Sequence, residues 1–206
     1  MKQRIQQFWS WFLENEKHFW NYNQENCDDY LSEILEHLDF ASDSDEYGIA
    51  LEFYKVSPEK KRLEISADGV QELFDIIIQI ANLSPKLENW DFVAFRQPLP
   101  APFCLEFQNM KFDTTKMRFH PYQDDLHELH IVVFGDNFEE YKENNEGQFF
   151  HYGLITIDNL IGEYNCVMKI KGYDFVDINQ IGEHVVYPLN ELPKYIEDYY
   201  KENLEN

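Results

Sequence analysis

Three prolines at alternate positions, Pro98, Pro100 and Pro102 in Gln97-Pro98-Leu99-Pro100-Ala101-Pro102, interrupt the chain near its middle. Proline lacks the backbone donor that a central strand or a helix interior needs, so no element can run through this stretch. Every helix and strand must lie to one side of it. It reads as an ordered connection between two halves, 1–97 and 98–206, which are expected to pack as one unit. A ligand for a polyproline-binding groove is the alternative.

In the first half Ile5, Phe8, Trp9, Phe12, Phe19 and Trp20 recur at helical spacing, with Glu16 the polar residue among them. Such an aromatic stripe docks a helix on its own domain or grips a partner. Asn26 is placed to cap a second helix, 28–40, with Tyr30, Leu31, Ile34, Leu35 and Leu38 inward. Its outer side carries Asp28, Asp29, Glu33, Glu36 and Asp39. Alternation then predicts strands around 49–54 and 62–65, joined by the turn Ser57-Pro58-Glu59-Lys60. Asp68 stands three residues before Gln71, a capping-box spacing that opens a helix through Ala81. Residues 90–96 read as the next strand.

The second half offers strands at 103–107, 117–120 and 129–134, and Asp136 with Glu139 repeats the capping-box spacing. Residues 149–161 are apolar nearly all round, which predicts a deeply buried helix, ended by Gly162. Residues 164–170 read as a strand and 190–200 as an acidic helix. Each half thus holds a strand, a helix and a strand opened by an aromatic, Trp90 or Tyr164. The fold class is α+β, with antiparallel sheets covered by helices on one face. Two ferredoxin-like halves sharing a core, related by duplication, would meet this pattern. No G-x-G-x-x-G or phosphate-loop pattern occurs, which speaks against a doubly wound nucleotide-binding fold.

Lys and Arg number 17 against 39 Asp and Glu, a net charge of −22. Such a surface repels DNA, RNA and anionic lipid, so neither nucleic acid nor a membrane is expected as a direct partner. It favours a basic protein, a polyamine or a divalent metal; charge that only maintains solubility is the competing reading. The three cysteines, Cys27, Cys104 and Cys166, lack metal-type spacing and read as reduced thiols in a cytoplasmic protein, the last two in strand-like apolar contexts. No apolar run has signal-peptide or membrane-span length. The strongest local bias is acidic. Between Lys17 and Lys55 no Lys or Arg occurs, while ten carboxylates do: Glu25, Asp28, Asp29, Glu33, Glu36, Asp39, Asp43, Asp45, Glu46 and Glu52.

The densest cluster of chemistry-bearing side chains is His120-Pro121-Tyr122-Gln123-Asp124-Asp125-Leu126-His127-Glu128-Leu129-His130. Its imidazoles and carboxylates suit zinc or another transition metal. A strand over 126–134 would set His127 and His130 on opposite faces, because odd offsets alternate. Asp125 would then share a face with His127, and Glu128 with His130, so a full site needs a third ligand from elsewhere. His151 and Asp158, seven apart on one helix face and followed by Glu163, would serve as an acid–base pair in a pocket, or as a satisfied polar stripe in a core helix. No nucleophile elbow is present. At Ser66-Ala67-Asp68-Gly69 the Asp68 carboxylate would occupy a helix N-terminus that could otherwise bind an anion.

The stretches Phe8-Trp9-Ser10-Trp11-Phe12, Leu63-Glu64-Ile65-Ser66-Ala67-Asp68-Gly69, Asn89-Trp90-Asp91-Phe92-Val93-Ala94-Phe95-Arg96 and Leu160-Ile161-Gly162-Glu163-Tyr164 resemble uncharacterised acidic bacterial proteins of the domain-of-unknown-function kind. That resemblance spans most of the chain and implies no catalytic residues. In charge and element order the chain is also similar to small acidic ferredoxin-like regulators that inhibit ribonucleases. The expectation is a non-enzymatic cytoplasmic interaction protein, an inhibitor, immunity or regulatory factor. It would present Asp28, Asp29, Glu33, Glu36, Asp39, Asp43, Asp45 and Glu46 to a basic protein. No catalytic residue, metal or cofactor is assigned. Two alternatives stand beside it: a metal-assisted hydrolase using 120–130 or His151 with Asp158, and an assembly module using the aromatic N-terminal helix.

Overall fold

Helix α1 (Lys2–Phe19) begins the first of two units, Met1–Arg96 and Gln97–Asn206, in a computed structural model that describes residues 1–41 and 48–204. Its stripe residues Ile5, Phe8, Trp9, Phe12 and Phe19 are buried. Phe12 meets Trp90 and Phe92 edge-on, with ring centroids 5.7 and 5.1 Å apart. The Trp9 indole donates to the Ile80 carbonyl at 2.8 Å. Glu16, the polar exception in the stripe, accepts from Asn89 Nδ2 at 2.7 Å and from Trp90 Nε1 at 2.8 Å. The aromatic face is therefore packed within its own unit, and its one carboxylate satisfies a buried indole.

Helix α2 spans Cys27–Glu36 and buries Ile34, while Leu38 is buried just beyond it. Asn26 occupies the N-cap position, but without a side-chain bond to the helix; its side chain instead accepts from the Asn23 backbone N–H at 2.7 Å, closing the preceding turn. Strands β1 (Ala50–Ser57) and β2 (Lys60–Ser66) form an antiparallel hairpin. Helix α3 (Phe74–Asn82) leads to β3 (Trp90–Ala94), which pairs parallel to β2, so the sheet order is β1-β2-β3. Asp68 departs from its capping-box expectation. It sits at φ 49° in the turn after β2, and α3 starts only after a 3-10 turn over Gln71–Leu73. Its carboxylate meets the Arg96 guanidinium at 2.5 Å, and Arg96 also holds Glu52 at 2.7 Å. A charge-assisted bond to a guanidinium fork outcompetes a neutral backbone cap.

In the second unit β4 (Cys104–Phe107) and β5 (Met110–Asp113) form a separate hairpin. The main sheet, ordered β8-β7-β6-β9, contains β6 (Arg118–Gln123), β7 (Leu129–Gly135), β8 (Gly172–Asp177) and β9 (Tyr187–Pro188). Strand β6 runs antiparallel to β7 and β9, whereas β8 is parallel to β7. Helices α4 (Phe138–Ile161) and α5 (Glu163–Lys169) connect β7 to β8, and α6 (Leu192–Leu204) closes the unit. Phe119, Leu129, Ile131 and Val133 on one face of the sheet join Phe149, Ile157, Leu160 and Ile196 from the helices in one buried core.

Residues 164–170 are mostly helix rather than the expected strand. Gly162, at φ 81°, ends α4 and starts α5, and the buried Glu163 and Cys166 stand three apart, with Ile170 extended just past the helix end. A three-residue offset keeps both on one face of a helix, whereas a strand would set them on opposite faces. Asp136 does not cap α4; Asn137, in the left-handed region at φ 63°, precedes it without a side-chain cap. Cys166 is accordingly a buried helical thiol, while Cys104 lies exposed on β4.

The class is α+β, with mixed and antiparallel sheets. Each unit repeats one order: a hairpin, a helical crossover, then a third strand parallel to the second, as β1-β2-α3-β3 and as β6-β7-α4-α5-β8. Ferredoxin-like halves are not confirmed, because both larger sheets contain a parallel neighbouring pair. No helix among the described residues is long and apolar enough to cross a membrane.

Candidate functional site

The β6–β7 hairpin gathers candidate functional side chains of the second unit on the face of the sheet away from the core. Tyr122 pairs with His130, and one step further the Asp124 N–H bonds to the Glu128 carbonyl at 3.3 Å. Cross-strand partners and residues two apart share a face. Tyr122, Asp124, Glu128 and His130 therefore lie together, while Leu129 and Ile131 point into the core.

Asp124 makes this arrangement. Its Oδ1 accepts the backbone N–H groups of Leu126 at 3.0 Å and Glu128 at 2.9 Å. This turns 124–128 into a tight loop and delays the start of β7 to Leu129. His127, in the left-handed region at φ 60°, is carried on the exposed turn, and Asp125 is exposed beside it. The remaining oxygen, Oδ2, lies 3.2 Å from His130 Nε2. The Glu128 N–H, with His130 and the Leu126 N–H, holds the Asp124 carboxyl below the usual carboxylate range. The third potential ligand that the strand reading lacked is thus Asp124, in the same segment. A turn, not a strand, brings it round.

The His130 ring is fixed from two sides. It stacks on Tyr122 at 5.1 Å between centroids, and it lies over Gly172 of β8, where no Cβ intrudes. Asp124, Glu128 and His130 form a group whose potential ligand atoms all lie within 4.8 Å of one another, the one such group among the described residues. The Glu128 carboxylate makes no hydrogen bond or ion pair among the described residues. His120 shares the sheet face but is otherwise engaged: its Nδ1 is 2.8 Å from the Val185 carbonyl and its ring 4.6 Å from that of His184.

His151 and Asp158 do not form a pocket couple. His151 is exposed, packed against Tyr152, whereas Asp158 is buried. The buried surroundings of Asp158 include Tyr173, whose hydroxyl donates to the Cys166 carbonyl at 2.5 Å. Burial, Cys166 and Asp158 together push that hydroxyl above its ordinary range.

On the first unit, Asp28, Asp29 and Glu36 are exposed along α2 and have no cationic partner among the described residues. Glu33 faces His18 at 3.4 Å and Asp39 faces Arg4 at 3.6 Å. Asp43, Asp45 and Glu46 lie outside the described residues. The acidic surplus is not confined to this unit: 19 acidic and nine basic residues fall in 1–96, and 20 and eight in 97–206. Exposed carboxylates without a cationic partner among the described residues are not confined to α2 either, since Glu139, Glu140 and Glu143 on α4 are of the same kind.

No protein-family model, curated protein or solved structure matches the chain. That agrees with the resemblance to uncharacterised proteins.

Proposed function

We propose that this chain is a non-enzymatic acidic interaction protein, an inhibitor, immunity or regulatory factor, and that its partner is a basic protein met by α2 and the segment after it. The observation that carries the reading is the row of exposed carboxylates at Asp28, Asp29 and Glu36, which no Lys or Arg of the described residues neutralises. Unpaired surface carboxylates stay hydrated and keep their long-range field, which raises the rate of encounter with a cationic surface and weakens with salt. Glu33 and Asp39, paired with His18 and Arg4, would form the rim of such a surface. Asp43, Asp45 and Glu46 extend the same acidic run along the chain.

The test is a pull-down from native lysate at low and at high salt, with the wild type and a variant carrying Asp28→Lys, Asp29→Lys and Glu36→Lys. Proteins of basic character retained only by the wild type, and only at low salt, are expected. An identical set retained by both chains, or none at low salt, overturns the reading.

A further inference from the structure

We propose that Asp124, Glu128 and His130 form a binding site for a divalent transition metal, zinc by its ligand set. This inference is independent of the acidic face on α2. Two carboxylates alone would suit magnesium or calcium, but an imidazole nitrogen turns the preference toward zinc and its first-row neighbours.

The spacing fits. Zinc holds nitrogen and oxygen at ~2.0–2.1 Å, so two ligands at a tetrahedral angle stand about 3.3 Å apart. His130 Nε2 and Asp124 Oδ2 are 3.2 Å apart. The Glu128 oxygen lies within 4.8 Å of both, so a change of rotamer completes a three-ligand set. Three protein ligands leave one position of a tetrahedron open to water.

The site is held from behind. Asp124 aims Oδ2 at His130 Nε2, 3.2 Å away, because Oδ1 is engaged by two backbone N–H groups at 3.0 and 2.9 Å, and a cation would take the place of that hydrogen bond. Tyr122 and Gly172 set the plane of the imidazole. Such outer contacts orient metal ligands and are worth roughly 10–100-fold in affinity where they have been removed. Glu128, whose carboxylate has no other bond among the described residues, breaks no protein hydrogen bond to turn inward. A metal here would also tie the end of β6 to the start of β7 across the turn.

A chain of net charge −22 gathers divalent cations diffusely, so the experiment must separate a site from an atmosphere. Untagged full-length protein is titrated with zinc chloride by calorimetry, in about physiological salt and with millimolar magnesium present. The histidine ring resonances are followed by NMR in parallel. The expected result is one zinc per chain that magnesium does not displace, with the His130 ring shifted ahead of the other imidazoles. Glu128→Gln, a change on the exposed turn that preserves shape, and His130→Ala should each weaken binding by at least tenfold. Circular dichroism checks that both variants remain folded. Absence of a saturable zinc equivalent, displacement by magnesium, or unchanged affinity in the folded Glu128→Gln variant overturns the proposal.

Discussion

Gly172 on β8 lies directly beneath His130 on β7: the two residues pair in register, and a Cβ at position 172 would come within 2.2 Å of the imidazole Nδ1. The histidine that reaches Asp124 on one side thus depends on a missing side chain on the other.

Gly172→Ala should therefore destabilise the second unit. Alanine is ordinarily favoured over glycine within a strand by roughly 0.5–1 kcal/mol, but relieving this overlap costs about 1–3 kcal/mol. The ring must swing away and lose its contact with Asp124. A lower urea midpoint, with the His130 resonance displaced, is the expected outcome. A midpoint equal to or above that of the wild type would contradict it.

A pair of glycines in α4 should respond in opposite directions. At Gly153 a Cβ would lie 2.8 Å from the Phe175 ring, whereas at the exposed Gly147 its nearest neighbour would be Asn145 Oδ1 at 3.9 Å. Gly147 stands in the first turn after a break in α4 at Asn145, whose side chain accepts the Gln148 N–H at 3.1 Å, so Gly147→Ala should gain less than the full ~1 kcal/mol of a helix interior. Gly153→Ala should lose about 1–3 kcal/mol to overpacking. Thermal melts of the two variants under identical conditions decide the matter.

Glu16→Leu should cost about 1–3 kcal/mol in the first unit. It deprives the Trp90 indole N–H and the Asn89 amide of their shared acceptor, found at 2.8 and 2.7 Å, while adding apolar area to the stripe. Glu16→Gln, which keeps one acceptor oxygen, should lose less. Denaturant unfolding followed by tryptophan fluorescence measures both, and Glu16→Leu at wild-type stability would refute the account.

Asp113 should contribute to the acid limb of stability. The Thr115 hydroxyl and N–H, at 2.5 and 3.0 Å, hold its carboxyl below the usual range. A depressed folded pKa means that the contribution is present above the unfolded value, about 3.9, and fades as pH falls through the lower folded value. Asp113→Asn should flatten the pH dependence of the melting temperature below pH 4 and leave its shape at neutral pH unchanged. Superimposable acid limbs would show that Asp113 takes no part.

Short-range patterning carried the elements whose character depends on neighbours a few residues away. The 3.6-residue spacing of Ile5, Phe8, Trp9 and Phe12 is that of α1, and the alternation through 129–134 is that of β7. It failed where two patterns coincide or a distant partner intervenes. Cys166 and Ile170 satisfy helix and strand spacing alike, and the chain is helical through Lys169 with Ile170 extended. Asp68 has the spacing of a cap, but Arg96, 28 residues on, takes its carboxylate.

The histidine-rich segment shows the same division. Its composition was plain to read, and so was the shared face of Glu128 and His130. What could not be read was that Asp124 folds the chain back on itself, removes His127 from the sheet face and adds its own oxygen to the group. Nor could Gly172 be connected with His130, 42 positions away, since nothing local in either residue names the other.

Residue order alone thus determined the α+β class, the position of most helices and strands, and the sign of the protein's charge. These follow from hydrophobic period, backbone permissions and a count of ionised groups. Tertiary structure alone decided that the third strand of each larger sheet runs parallel to the second, which carboxylates are paired, and which side chains converge beside His130. Those outcomes rest on contacts between residues far apart in the chain, whose energies exist only after the backbone has brought them together.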